Sequence, residues 1–391
     1  MPKQGEIKSL TGLRGVAACW VVLFHYITAF HRAELAHNLG TRRSAAFRFA
    51  ELFFMHGYLA VDLFFVLSGF VMALTYGGAF EAKLSGRAYL DFLGKRLGRV
   101  YPLYVALTVT VAALGYAGIG TLNPPSPTDL ASNALLIQAW GIADSVDVPA
   151  WSISTEFAAY LLFPLLVRIV LVGHWARCWA AAVAAAAVLV LVATRTAAEL
   201  HQVIGGTVFR GGPLDASRFA TLYPLLRCFA GFTLGLSAFR LAQAAQVRRV
   251  LAKRFVGDVG LIALLALVAV PGSDVVLVLF FVPFVAALAT GQSYTARHLS
   301  KGALYWLGLV SYSIYLNHFP IESLLHFPFR AALDALRVPH AIAASGLAVL
   351  APVLALSAVT YYGIEKPGRD WARKVLGRRS ALPIGSEPAA P

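Results

Sequence analysis

The chain has 391 residues, 59% of them hydrophobic and 13% charged, with a net charge of +14 and a mean hydropathy of +0.69. Soluble domains carry about 25% charged residues, so a soluble enzyme is excluded and no large domain outside a membrane is left over. Nucleic-acid binding is excluded as well, because no folded basic domain exists to perform it; the charge reflects topology and attraction to anionic headgroups of the lipid bilayer.

Apolar stretches of membrane-spanning length fall, in chain order, at 10–30, 57–77, 101–120, 151–172, 176–194, 219–239, 255–271, 274–291, 304–326 and 340–363. They predict an all-α polytopic membrane protein with about ten transmembrane helices. Pro271, Gly272 and Ser273 separate two of the stretches closely enough for a helical hairpin. With the N-terminus inside, 22 Lys and Arg fall on the inner side and 9 on the outer, Arg14 and Arg227 within spans completing the 33. The positive-inside rule then puts both termini in the cytoplasm. The first outer loop, with Arg32, Arg42, Arg43 and Arg48, runs against it. Cys19, Cys178 and Cys228 lie in or beside spans and imply neither a disulfide framework nor a metal site. The first span lacks a small-residue cleavage site and reads as a retained helix.

That first span carries Arg14 and His25. At 100° per residue the two return to within about 20° of one face, with a rise of roughly 16 Å. His25 sits about 22 Å from the inner end of its helix, in the outer third of the bilayer core. Asp62 and Glu156 descend from outside to a similar depth, and His318 rises to it from inside. Ionisable side chains at such depth mark function by default. The alternative reading is structural: His318 hydrogen-bonding a neighbouring helix, Asp62 and Glu156 pairing with interior Arg or His, and Trp151, Tyr312 and Tyr315 as packing aromatics.

At the inner face, KRLGRVYP places Lys95, Arg96 and Arg99 just before the third span. Arginine forks suit phosphate oxygens, although such a run also serves as a positive-inside anchor. The cluster Arg248, Arg249, Lys253 and Arg254 is read as an anchor only. No Walker or dinucleotide fingerprint is present. Phosphate-binding arginines inside and a His with acids toward the outside match the shape of acyl coenzyme A, whose pantetheine arm, on the order of 15 to 20 Å, compares with the span from Arg14 to His25.

Arg14 and His25 with ten residues between them, FFVLSGF at 64–70, the pair Arg96 and Arg99, WSISTE at 151–156, SYSIYLNH at 311–318 and IEKP at 364–367 together resemble the acyltransferase-3 family of bacterial membrane O-acyltransferases. That family includes acetylases of O-antigen, exopolysaccharide and nodulation factors, and macrolide acyltransferases. The resemblance implies a membrane domain over 6–370, with a short basic tail at 371–391, in the bacterial cytoplasmic membrane. It implies that His25 and Arg14 are essential, that Arg96 and Arg99, with Lys95 beside them, serve the acyl-CoA side, and that Glu156 belongs to the active site. No extracytoplasmic hydrolase-like domain of the kind some members carry follows the last span, so the membrane domain is expected to deliver the acyl group to its final acceptor unaided.

The expected chemistry is transfer of an acyl group, acetyl in the first instance, from acyl-CoA to a hydroxyl of a carbohydrate, glycolipid or small molecule. His25 acts as general base, Asp62 or Glu156 orients its ring, and Ser68 and Tyr315 are candidate donors to the oxyanion. A covalent acyl-His25 intermediate is the variant of this scheme. Trp151, Ser152, Tyr315, His318 and Ser68 are candidate substrate contacts, and no metal is required. The rival is a transporter or flippase using the buried His, Asp and Glu for proton coupling, against which stands the lack of symmetry between the two halves. The charge bias has a direct test: a phosphatase reporter fused at the C-terminus should be inactive and a tag within 121–148 reachable from outside, whereas labelling of the C-terminus by impermeant reagents in intact cells would refute the topology.

Overall fold

The computed structural model describes residues 6–29, 45–82, 84–200, 212–215, 221–338 and 341–380, and among them every regular element is helical. Helix α1 (Lys8–Phe24) widens into a π turn at His25–Ala29. A short helix α2 (Ala45–Met55) leads through a 3₁₀ turn at His56–Leu59 into α3 (Ala60–Tyr76). Then come α4 (Gly86–Tyr116), α5 (Pro127–Ala134), α6 (Trp151–Val170), α7 (Trp175–Leu200) and α8 (Tyr223–Gln243). After these lie α9 (Val256–Val268) and α10 (Asp274–Ala289). The chain closes with α11 (Gly302–Leu309), α12 (Ser311–Ile321), α13 (Phe327–Ala335), α14 (Ala341–Thr360) and α15 (Lys366–Ser380).

Within the described residues, each apolar stretch found in the sequence is mainly helical. Seven helical stretches among the described residues are long and apolar enough to cross a membrane: Lys8–Ile27, Arg48–Tyr76, Gly86–Tyr116, Val148–Val170, Trp175–Thr196, Tyr223–Gln243 and Ala344–Val375. The remaining predicted spans take other forms. Those at 255–271 and 274–291 are helices of 13 and 16 residues, joined by a tight turn in which Gly272 adopts φ +75°. The stretch 304–326 is interrupted at Val310 and runs into a π turn at Glu322–His326. The third span starts fifteen residues before its apolar run, where the Ser85 hydroxyl caps α4 by accepting from the Ala88 amide at 3.4 Å. Lys95, Arg96 and Arg99 are therefore inside α4 and not ahead of it. The basic tail begins as helix to Ser380, while 381–391 and the outer-loop arginines Arg32, Arg42 and Arg43 lie outside the described residues.

Helix α8 is buried on nearly every face, as a helix apolar all round must be. Its contact with α3 is backbone on backbone. A Cβ at Gly69 would lie 2.1 Å from the Phe232 carbonyl oxygen, and one at Gly235 would lie 2.2 Å from that of Val66. Small residues are what allow membrane helices to approach this closely, because dispersion contacts replace the hydrophobic drive available in water. The same device joins α1 to α11, where a Cβ at Gly308 would lie 2.0 Å from the Thr11 carbonyl oxygen. Side-chain bonds pin α1 on two more sides: Ser9 donates to the Leu288 carbonyl at 2.8 Å and Trp20 to that of Phe53 at 2.7 Å.

The α3–α8 seam predicts the effect of a single methyl. Gly235→Ala should lower stability in detergent by about 1–3 kcal/mol, the usual cost of overpacking. Gly78→Ala, at a position open within 4 Å, should melt like the parent. Equal melting temperatures for the two variants would show that the close approach does not hold the bundle.

Candidate active site

Two adjoining spaces open along α1, α3 and α4. The wider, about 800 Å³, is a vestibule beside the N-terminal half of α1; its wall includes Arg14, Lys95, Arg96, Arg99, Arg369 and Arg373. The narrower, about 100 Å³, runs among Phe64, Ser68, Ser152, Glu156, Tyr160 and Tyr315. Arg14, Val71, Met72, Arg96 and Arg99 line both. These five form a neck, and three of them are cationic. Of the vestibule's cations only Lys95 sits in an ion pair among the described residues, 2.6 Å from Asp91 one turn away. Arg96 donates to the Tyr76 hydroxyl at 2.7 Å and lies over that ring, and its Nε is buried without a partner. Guanidinium donors left open beside a cavity form a site for anions with planar or forked oxygens.

Beyond the neck, Ser68 on α3 donates to the Glu156 carboxylate on α6. Ser152 Oγ is 2.9 Å from the Tyr315 hydroxyl and 3.2 Å from the Pro149 carbonyl. Tyr312, read from the sequence as packing, lines the narrow cavity and donates to the Val100 carbonyl at 2.9 Å. From Tyr315 a file of rings leads away: its centroid is 5.9 Å from that of His318, which is 4.9 Å from that of His25. His25 thus stands past the end of the cavity, where α1 changes from α to π. Departures of this kind are frequent at functional sites.

The two histidines are held alike. His25 Nδ1 is 2.8 Å from the Val21 carbonyl and His318 Nδ1 is 2.6 Å from that of Tyr315. A carbonyl only accepts, so each neutral ring carries its proton on Nδ1 and presents the Nε2 lone pair. His318 Nε2 is buried without a partner.

The four ionisable groups expected to converge form three separate sets. His25 and His318 come together, their ring centroids 4.9 Å apart. Asp62 does not join them, because both its oxygens are taken by Arg227, Nε to Oδ1 at 2.7 Å and Nη2 to Oδ2 at 2.5 Å. Both partners are at most 1% exposed, which corrects the expectation that Asp62 orients the imidazole. Glu156 is likewise engaged with Ser68 on the cavity wall, and the Val21 carbonyl does the orienting at His25. Ser68, with its proton committed to Glu156, is not free to serve an oxyanion in this state. Trp151 lines neither of the two spaces: it is buried in a T-shaped contact with Phe65, 5.6 Å below the Arg227 guanidinium.

Sequence reading missed Arg227 as the partner of Asp62, which a separation of 165 positions conceals, and it missed Arg369 and Arg373, which look like ordinary tail charges. It also missed a second buried knot, in which Asp274 accepts from the Tyr58 hydroxyl and from the Leu214 amide at 2.8 Å, with His56 3.8 Å away.

The model of the acyltransferase-3 domain, described as an acyltransferase domain, matches residues 7–357. The chain is 29% identical over 410 residues to acyltransferase MdmB of Streptomyces mycarofaciens, covering 99% of this chain and 97% of that protein. It is 35% identical over 120 residues to protein 2 in the picA locus of Rhizobium radiobacter, covering 31% of this chain and 51% of that one. With O-acetyltransferase OatA of Staphylococcus aureus it shares 25% identity over 287 residues, 68% of this chain and 46% of that one, so the chain spans about half the length of these last two relatives. No solved structure matches.

The Asp62–Arg227 geometry predicts a structural signature. Removing one member of a buried pair leaves an uncompensated charge, at about 3–5 kcal/mol, whereas replacing both by apolar groups is often neutral. Arg227→Met should therefore unfold at much lower denaturant than the parent, and Asp62→Leu/Arg227→Met should recover most of the loss. A double variant that is stable yet wholly inactive would instead give Asp62 a chemical role.

Proposed function

The chain belongs to the acyltransferase-3 family of membrane acyltransferases, and from that premise we propose that it transfers an acyl group from acyl coenzyme A to a hydroxyl of a carbohydrate or related small molecule, with His25 as general base. The observation that carries this reading is the neck. Three arginines lie where a cationic vestibule narrows into a slender channel, and that channel ends one ring short of the histidine pair. An acyl-pantetheine arm reaching about 15 to 20 Å suits that distance. The acetyl group is the acyl group in the first instance; a relative named as an O-acetyltransferase supports O-acylation. The cytoplasm is the side of the donor, in keeping with the positive-inside bias.

The reaction runs as one proton circuit. The acceptor oxygen attacks the thioester carbonyl while His25 Nε2 takes the hydroxyl proton; the tetrahedral adduct breaks its carbon–sulfur bond, and the imidazolium returns the proton to the coenzyme A thiolate. Nδ1 stays bonded to the Val21 carbonyl, so the ring keeps one tautomer and one orientation through the cycle. Arg14, Arg96 and Arg99 hold the donor's phosphates, and Tyr315 is placed to donate to the developing oxyanion. The buried, unpartnered Nε2 of His318 favours a second reading, in which His318 is the base and His25 supports it.

Single-residue kinetics separate the two. His25→Ala should fold and bind acyl-CoA while losing transfer by roughly 10² to 10⁴, and His318→Ala should lose far less. The reverse order would assign the base to His318. A His25→Ala protein transferring at the parent's rate, with His318→Ala equally active, would defeat both readings.

A further inference from the structure

The vestibule has a wall that no sequence motif announced. Helix α15 lies against α4 through positions without bulk: a Cβ at Gly98 would sit 2.2 Å from the Ala372 Cβ, and one at Gly368 would sit 2.5 Å from the Pro102 Cγ. This contact sets Arg369 and Arg373, four residues apart on one helical face, across the vestibule from Arg96 and Arg99. The Arg369 guanidinium is 5.9 Å from the Tyr361 ring centroid and 3.5 Å from its hydroxyl, while its Nε is buried without a partner. Glu6 also lines the vestibule, and its oxygens already accept from Thr11 at 2.7 Å and Tyr305 at 3.0 Å. A second carboxylate, the buried Glu365, lies within electrostatic reach of Arg369, Arg99 and Arg14, so the helix adds two positive charges to a wall where cations outnumber acids. A ligand carrying several phosphates compensates that charge.

We propose that α15 is the far wall of the donor site and that Arg369 and Arg373 bind a terminal phosphate monoester, the ribose 3′-phosphate of coenzyme A, separately from the diphosphate held at the neck. This rests on the acyl-CoA reading above. The assignment follows from order along the ligand. Arg14, Arg96 and Arg99 line both spaces, whereas Arg369 and Arg373 line the vestibule alone. The acyl-pantetheine arm is the part slender enough to pass the neck, so the diphosphate next to it sits at the neck's arginines. The nucleotide, with its monoester of charge about −1.5 to −2, then lies farther out, against α15. Two arginines on adjacent turns supply forked donors for such a group.

Calorimetry on the purified full-length protein with coenzyme A and with dephospho-coenzyme A tests this directly. The parent should bind the dephospho form about tenfold more weakly, as loss of one charge-assisted contact predicts. Arg369→Gln/Arg373→Gln should bind both ligands with the parent's weaker affinity, so that removing the arginines and removing the phosphate are not additive. Arg96→Gln/Arg99→Gln should weaken both ligands while keeping the preference between them. Arg369→Lys/Arg373→Lys, which keeps the charge, should retain part of the preference and shows that the helix tolerates substitution. A Gln variant with the parent's full preference would overturn the assignment. So would a Gln variant that keeps that preference and loses binding only to phosphatidylglycerol vesicles, which would mean that the arginines meet lipid headgroups. A parent that binds neither nucleotide overturns the donor reading itself.

Discussion

The Asp62–Arg227 pair fixes the rotation of α3, and the geometry of the cavity follows from that rotation. At 100° per residue, Asp62, Val66 and Gly69 fall on one face of α3, the face that meets α8 through an ion pair at one end and backbone contact at the other. Phe64, Ser68 and Val71 fall on the opposite face and line the narrow cavity. A charge at 0% exposure cannot shift its register cheaply, so the pair holds Ser68 toward Glu156 from across the helix. FFVLSGF is thus two motifs in one, its Gly facing the neighbouring helix and its Ser facing the channel.

The site divides its charges by what compensates them. In the α3–α8 seam positive and negative charge cancel within the protein, and the pair lines neither the vestibule nor the channel. At the neck Arg96 meets the Tyr76 hydroxyl and ring beside open space, and one buried carboxylate, Glu365, lies within electrostatic reach of both Arg14 and Arg99. Burying uncompensated charge is expensive, and three cations that share one carboxylate at a constriction leave an excess that an anionic substrate would balance. Glu156, immediately past the neck, keeps its carboxylate bonded to Ser68. It supplies negative charge to the channel without quenching the arginines outright.

The helical architecture was legible in the sequence because bilayer thickness imposes a length on apolar runs. The start of α4 was not, because residues 86–100 carry four of the chain's Lys and Arg apart from any apolar run, and the helix there is held by a Ser85 cap and by packing on α15. The break at Val310 was likewise hidden, since the hydrophobic run continues across it while the backbone does not. Arg96 and Arg99 were legible as an inner-face pair and Arg14 as a cation on the first span, but that the three share one constriction depends on helix neighbours the sequence does not give. The partner of Asp62 was out of reach, for depth arguments rank candidates along one axis and say nothing about which helices are neighbours. His25, Asp62, Glu156 and His318 were grouped at one level for that reason, and the structure distributes them among different partners.

What orients His25 illustrates the same point at atomic scale. In water-filled clefts a carboxylate usually fixes a catalytic imidazole, and two carboxylates near the right depth made that the natural expectation. Inside a membrane a carboxylate is costly unless neutralised, and both are spent elsewhere. The Val21 carbonyl, one turn back on the same helix, holds Nδ1 at 2.8 Å without adding charge. It selects the tautomer as a carboxylate would, but it does not stabilise the imidazolium to the same degree. Under the proposed mechanism, an imidazole held this way passes its proton on readily, which suits a cycle in which that proton goes to the departing thiolate.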